Sequence, residues 1–125
     1  MTRINVAIPP EKLTYRHLLA EHREIKRIPN LIKSGRYNLN SIKPLFSLGT
    51  GHVSFFYNKL KYIHKRYLSI YTEAKRQGYN VTNFEDSFSD LPPELYNDYV
   101  PTKRDYKIIK ERLISKDPIY LKILE

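Results

Sequence analysis

The chain contains no cysteine, so thiolate nucleophiles, disulfides and sulfur-rich metal sites are excluded at once. Its histidines are His17, His22, His52 and His64, and no two have the i, i+4 spacing of a helical zinc site. Asp86, Asp90 and Asp98 stand near one another in sequence. A solvated acidic loop accounts for them more simply than a magnesium site does. The glycine-bearing GTG of residues 49–51 precedes an expected helix, where its amides could hold one phosphate. More often such glycines simply turn the chain. No nucleophile-elbow motif supports Ser–His–Asp chemistry. What remains is an amine. A lysine titrates near 10.4 and an α-amino group near 8, so at neutral pH roughly a tenth of a terminal amine is free base, against well under a thousandth of a lysine. Thr2 is small, and an initiator methionine is generally trimmed before a small residue. A mature chain beginning at Thr2 would carry Arg3 beside its amine, a possible nucleophile with a phosphate anchor next to it. Most proteins with a small second residue put that amine to no use.

The second chemical feature lies between residues 12 and 28, which read as a helix ended by Pro29. At about 100° per residue, Arg16, Arg23 and Arg27 fall within roughly 40° of one another. Ala20 beside them adds no bulk. Leu18 and Ile25 fall on the opposite face. Glu24 and His17, one heptad apart, fall together between the arginine stripe and apolar Ile28. The planar fork of arginine suits phosphate. The plainer reading is a solvated charged face with Glu24 paired to Arg27 at i, i+3.

The elements that carry these groups are helical. Residues 52–77 have the clearest apolar stripe, with Val53, Phe56, Leu60, Ile63, Tyr67, Ile70 and Ala74 at alternating three- and four-residue steps. Lys75 and Arg76 suit its last turn, and Gly78 its stop. Residues 30–50 look irregular, with a short helical turn at 31–33 and punctuation at Gly35, Pro44 and Gly49. Residues 79–101, with Pro92, Pro93 and Pro101, read as a loop. Thr102 and Asp105 resemble a capping box that opens a third helix to about Ile114, burying Tyr106, Ile109 and Leu113. No strand pattern appears. The expected class is all-α: a single domain over residues 1–125, of about three main helices with the N-terminal segment packed between them.

Composition points to the ligand. Lysine and arginine total 22 against 13 acids, a formal net charge of +9. That excess points to a polyanion, most often nucleic acid. Eleven tyrosines and five phenylalanines are interleaved with the basic residues, and aromatic faces beside cations suit unstacked bases. A merely basic, soluble protein with tyrosine in its core is the bland alternative. With 41% hydrophobic residues the chain is expected to fold. It has no apolar run near the roughly 20 residues of a membrane helix and no secretory leader, so a cytoplasmic protein that does not enter membranes is expected.

Three stretches carry a resemblance: MTRIN at the start, HLLAEHREIKRIP on the first helix, and LGTGHVSFFYNKL before the second, followed by KRQGYNV and DLPPELYNDYVP. In this order they resemble the pyrimidine-dimer DNA glycosylases of the phage endonuclease V type, over nearly the whole chain to about Leu113. The resemblance implies a small all-α fold that excises cyclobutane pyrimidine dimers and then nicks the abasic site, without metal or cofactor. It implies that the Thr2 α-amine attacks the sugar and forms an imine, and that Glu24 is the essential carboxylate. It also implies that Arg3, Arg23 and Arg27 clamp phosphates around the lesion and that His17 sits near the abasic sugar. The partner implied is double-stranded DNA bearing ultraviolet lesions or abasic sites, met by a monomer, in a host cell's cytoplasm if the protein is phage-encoded. Family members kink the duplex and extrude a nucleotide opposite the dimer. The family's aromatic, basic C-terminal tail is reduced here to PIYLKILE, in which Pro118, Tyr120 and Lys122 keep a trace of the pattern and tryptophan is absent. The rival reading is a non-catalytic helical protein that binds DNA through Arg16, Arg23 and Arg27.

Overall fold

The computed structural model describes residues 2–125, and Met1 lies outside the described residues. Among them are five α-helices and no strand: α1 (Tyr15–Glu24), α2 (Arg27–Lys33), α3 (Leu60–Arg76), α4 (Lys103–Lys116) and α5 (Tyr120–Ile123). Short 3₁₀ turns punctuate the connections. The all-α class therefore holds, and α1, α3 and α4 are its three longest helices.

The first expected helix is in fact two. Hydrogen bonding from α1 ends at Ile25, and a new helix begins at Arg27 with Pro29 in its first turn rather than as a terminator. Proline is tolerated there because first-turn amides have no intrahelical acceptor to lose. The Ile25 carbonyl, which a residue 29 amide would otherwise have met, accepts the Ile28 N–H at 3.2 Å. Arg27 consequently belongs to a different helix from Arg16 and Arg23, and the continuous stripe of three arginines does not form. The irregularity expected from residue 30 starts only after α2.

The second expected helix is also shorter than its pattern. Residues 54–56 form a 3₁₀ turn, Lys59 leaves helical geometry at φ −130°, ψ 42°, and α3 starts at Leu60. Phe55 and Phe56, in the turn before the break, are both buried. The stripe otherwise holds. Phe56, Leu60, Ile63, Tyr67, Ile70 and Ala74 are wholly buried, while Val53 in the preceding turn is only partly covered. Gly78, at φ +88°, closes α3: its N–H reaches the Lys75 carbonyl and the Tyr79 N–H the Ala74 carbonyl. At α4 the capping box is formed in both directions between Thr102 and Asp105. Ile109 and Leu113 are buried there, and Tyr106 is half-buried.

The chain's beginning is the part that positions chemistry. Ile4, Asn5, Val6 and Ile8 are buried, in an extended run that ends in a turn where Ala7 takes φ +65°. α1 packs against α3, and the terminal run is bonded to side chains from both helices. Such burial of a short segment needs its amides and carbonyls satisfied, and the residues that satisfy them shape the site.

Candidate active site

Four side chains hold the terminal run. The Arg3 main-chain N–H donates to Glu24 Oε1 at 3.1 Å. The Ile4 N–H donates to His52 Nε2 at 2.9 Å, while His52 Nδ1 donates to the Ser47 carbonyl at 3.0 Å. Asn5 Nδ2 donates to Glu21 Oε1 at 2.9 Å. Arg66 Nη1 donates to the Ile8 carbonyl at 2.6 Å and meets Glu21 with two further bonds, Nε to Oε2 at 2.7 Å and Nη2 to Oε1 at 3.1 Å. Thus α1 supplies two carboxylates, α3 a guanidinium, and the loop before α3 an imidazole.

The environment fixes the state of each group. Burial holds His52 down to about 4, helped by the positive charge of Arg3. The ring is therefore neutral near pH 7, so Nε2 is free to accept the amide while Nδ1 donates. Burial opposes the charge on Arg66, but Glu21 outweighs it and raises that guanidinium above its ordinary value. The GTG turn has a positional purpose here. It does not open an α-helix, since α3 begins nine residues after Gly51. Instead the His52 N–H bonds the Gly49 carbonyl at 3.1 Å, and the turn delivers the imidazole beneath the terminal run.

On the outer side of this run lies a cleft of about 210 Å³ lined by Arg3, Asn5, His17, Ala20, Glu24 and Arg112, with Glu21 in its wall. Pockets for whole small molecules are commonly about 300–1,000 Å³, so this volume suits one part of a larger substrate laid across the surface. The Glu24 side chain is 15% exposed, and the Arg23 guanidinium lies 3.8 Å from its Oε2. The expected Glu24–Arg27 pair is replaced by that contact and by the Arg3 amide. Arg3 is lowered by burial and by Arg112, against the opposing pull of Glu24. Arg112 is likewise lowered by burial and supported by Glu24. His17 is lowered by burial and by the charges of Arg112 and Arg16. Burial is the largest cause in all three, so the cleft is a place where charge is costly. Two of its buried polar atoms, Arg112 Nη1 and Asn5 Oδ1, make no hydrogen bond to the described residues, which leaves them open to water or to a ligand.

The residues singled out by sequence divide among three surfaces. Glu24, Arg3 and His17 share the cleft. Arg16 and Arg23 line a groove just outside it, with His17 and Ala20 common to both. Thr2 and Arg27 line a third hollow with Asn30, Leu31, Ser34 and Arg36. Among the described residues no three His, Asp or Glu side chains gather where a metal ion could be held, and Asp98 pairs with Lys65 at 2.7 Å. No helix is long and apolar enough to cross a membrane.

Sequence reasoning missed His52, Glu21, Arg66, Arg112 and Tyr120. Arg66 does carry a signal, since it is a charged residue one step from Tyr67 on the apolar stripe. Arg112 follows Ile109 by three residues and so shares the inner face of α4. His52 has no such mark, because its place follows from a turn.

The scaffold is helical, and its cleft brings Arg3 and Arg112 together with Glu24. The family model for pyrimidine dimer DNA glycosylases matches residues 1–86 of the chain. The chain belongs to that family, and hence to the DNA-repair glycosylases whose substrate is DNA carrying pyrimidine dimers. The matched span includes the terminal run, α1, α2 and α3. Arg112 and Tyr120 lie beyond it.

Proposed function

We propose that the chain excises cyclobutane pyrimidine dimers with the α-amine of Thr2 and then cleaves the strand at the resulting abasic site. The observation that supports this most is the Arg3 N–H bonded to Glu24 Oε1 at 3.1 Å. Successive backbone nitrogens are at most about 3.6 Å apart, so the Thr2 nitrogen lies within about 7 Å of the Glu24 carboxylate. A substrate sugar between them would meet both. The amine is free once Met1 is removed.

In the reaction the neutral amine attacks the anomeric carbon of the dimer's 5′ nucleotide. The bond from that carbon to the base breaks, and the departing base takes up a proton. Loss of the amine proton and opening of the sugar ring, whose oxygen becomes a hydroxyl, leave an imine. The imine acidifies the neighbouring 2′ hydrogen. Glu24 stabilises the cationic sugar and takes that proton, and the electron pair forms a C2′–C3′ double bond as the C3′–oxygen bond breaks on the 3′ side. Water then hydrolyses the imine and returns the amine. Arg3, Arg23 and Arg27 hold phosphates around the lesion, Arg112 joins them, and His17 faces the abasic sugar.

Trapping tests this. Borohydride added during turnover on ultraviolet-irradiated duplex should give a stable covalent adduct at residue 2, and none once the terminus is acetylated. Thr2→Ser should keep trapping, because the amine survives. An adduct from blocked, folded protein would move the nucleophile to a lysine. The absence of any adduct would leave a DNA-binding protein without this chemistry.

A further inference from the structure

The C-terminal segment enters the site through one hydroxyl. Tyr120 is wholly buried, and its phenol oxygen lies 2.9 Å from the Thr14 N–H, 2.8 Å from His17 Nδ1 and 3.0 Å from Thr14 Oγ1. Thr14 Oγ1 is itself 3.2 Å from His17 Nδ1. Thr14 stands at the N-cap of α1, yet its hydroxyl caps no amide. It is turned into this triangle instead.

We infer that Tyr120 is a positioning residue for His17: its hydroxyl donates to Nδ1, so that the imidazole carries its proton on Nε2, the nitrogen left for the cleft containing Glu24. Donor counting selects this arrangement. The Tyr120 oxygen accepts the Thr14 N–H, leaving one lone pair and one O–H. If the O–H goes to Nδ1, the Thr14 hydroxyl donates to the remaining lone pair, and every donor in the triangle is used. If Nδ1 carried the proton, it would occupy that lone pair. Tyr120 would then donate to Thr14, whose own O–H would have no acceptor left in the triangle. An O–H left without an acceptor in this half-buried triangle is the less favourable arrangement. Burial, the largest cause, and the surrounding cations keep the ring from taking a second proton. Arg112 and Arg16 oppose a positive charge on the ring more than Asp117 and Glu21 support it.

The inference rests on the function proposed above and sharpens its division of labour. A His17 held with Nε2–H is a hydrogen-bond donor toward a sugar or phosphate oxygen and not a base. Glu24 then remains the proton acceptor of the cleft. It also gives the last residues, beyond the span matched by the family model, a place in the chemistry.

Two measurements test it. Nitrogen–proton correlation spectra of ¹⁵N-histidine-labelled protein, without DNA, should show His17 with a protonated Nε2 and a bare Nδ1. Tyr120→Phe should convert that signal to a tautomer mixture while the ring packing and melting curve persist. A wild-type Nδ1–H tautomer, or a signal unmoved by Tyr120→Phe, would overturn the assignment. Single-turnover cleavage of abasic-site duplex should fall about fivefold in Tyr120→Phe, the loss of one ordinary hydrogen bond. The same change on a His17→Ala background should cost nothing further. Equal losses on both backgrounds would show that Tyr120 acts by packing alone. A wild-type protein that cleaves no abasic site would refute the function proposed above, and the spectra would still decide the tautomer.

Discussion

Glu21 and Glu24 sit three residues apart on α1 and reach the same terminal run, yet their surroundings are opposite. Glu21 is wholly buried and spends both oxygens, one on Arg66 alone and the other on Arg66 and Asn5. Glu24 is partly exposed, is bonded by one main-chain amide, and faces a cleft edged with arginine. Burial with full pairing makes a carboxylate structural, because any change leaves a partner charged and alone. Partial burial beside a main-chain amide and the exposed Arg23 leaves Glu24 open to the cleft. The spacing that separates this strut from the carboxylate proposed to react is less than one helical turn.

Replacing each glutamate by glutamine tests the contrast directly. Glu24→Gln is expected to lower base excision and strand cleavage by about 10²–10⁴-fold, the usual worth of a positioned acid–base group, while DNA binding and melting temperature hold. Retained turnover would remove Glu24 from the mechanism. Glu21→Gln should behave the other way, with a stability loss of about 3–5 kcal/mol as Arg66 stays buried without its counter-charge. Denaturant unfolding reads that loss, and an unchanged midpoint would mean that the pair is not the strut described.

His52 extends the comparison to pH. Folded, the ring gains a proton only near pH 4, against 6.5 ordinarily. Between those values the unfolded chain binds more protons, so stability is full above about pH 6.5 and falls as pH drops toward 4. His52 contributes about 3 kcal/mol to that fall by linkage. His52→Gln, which keeps a side-chain acceptor, should flatten the fall in unfolding experiments across this range. A slope identical to wild type would place the sensitivity elsewhere.

The smallest effects belong to the outer arginines. Arg23→Ala and Arg27→Ala are each expected to weaken DNA binding irrespective of sequence and to reduce the salt dependence of log K by about one unit for each phosphate left without its arginine. An unchanged slope and affinity would return them to an ordinary solvated surface.

Much of this was legible in the chain. The apolar stripe of α3, the Gly78 stop and the Thr102–Asp105 cap are local, and local rules found them. The helix boundaries were missed where tertiary demands won. One expected helix is broken at Lys59, which leaves helical geometry, and a first-turn place for Pro29 divides the other. Glu24 and His17 could be placed on one face because both lie on α1. Arg112 and Tyr120 could not be joined to them, since nothing in sequence brings residues 112 and 120 back to residue 17.

The clasp on the terminal run also sets an order of events during synthesis. Residues 3, 4 and 8 are fastened by residues 24, 52 and 66, and chains emerge from the ribosome beginning at the N-terminus. The opening residues are thus the first made and cannot be fully seated until more than half the polypeptide has been translated. A chain shortened before residue 66 would lack the guanidinium that fastens both the Ile8 carbonyl and Glu21.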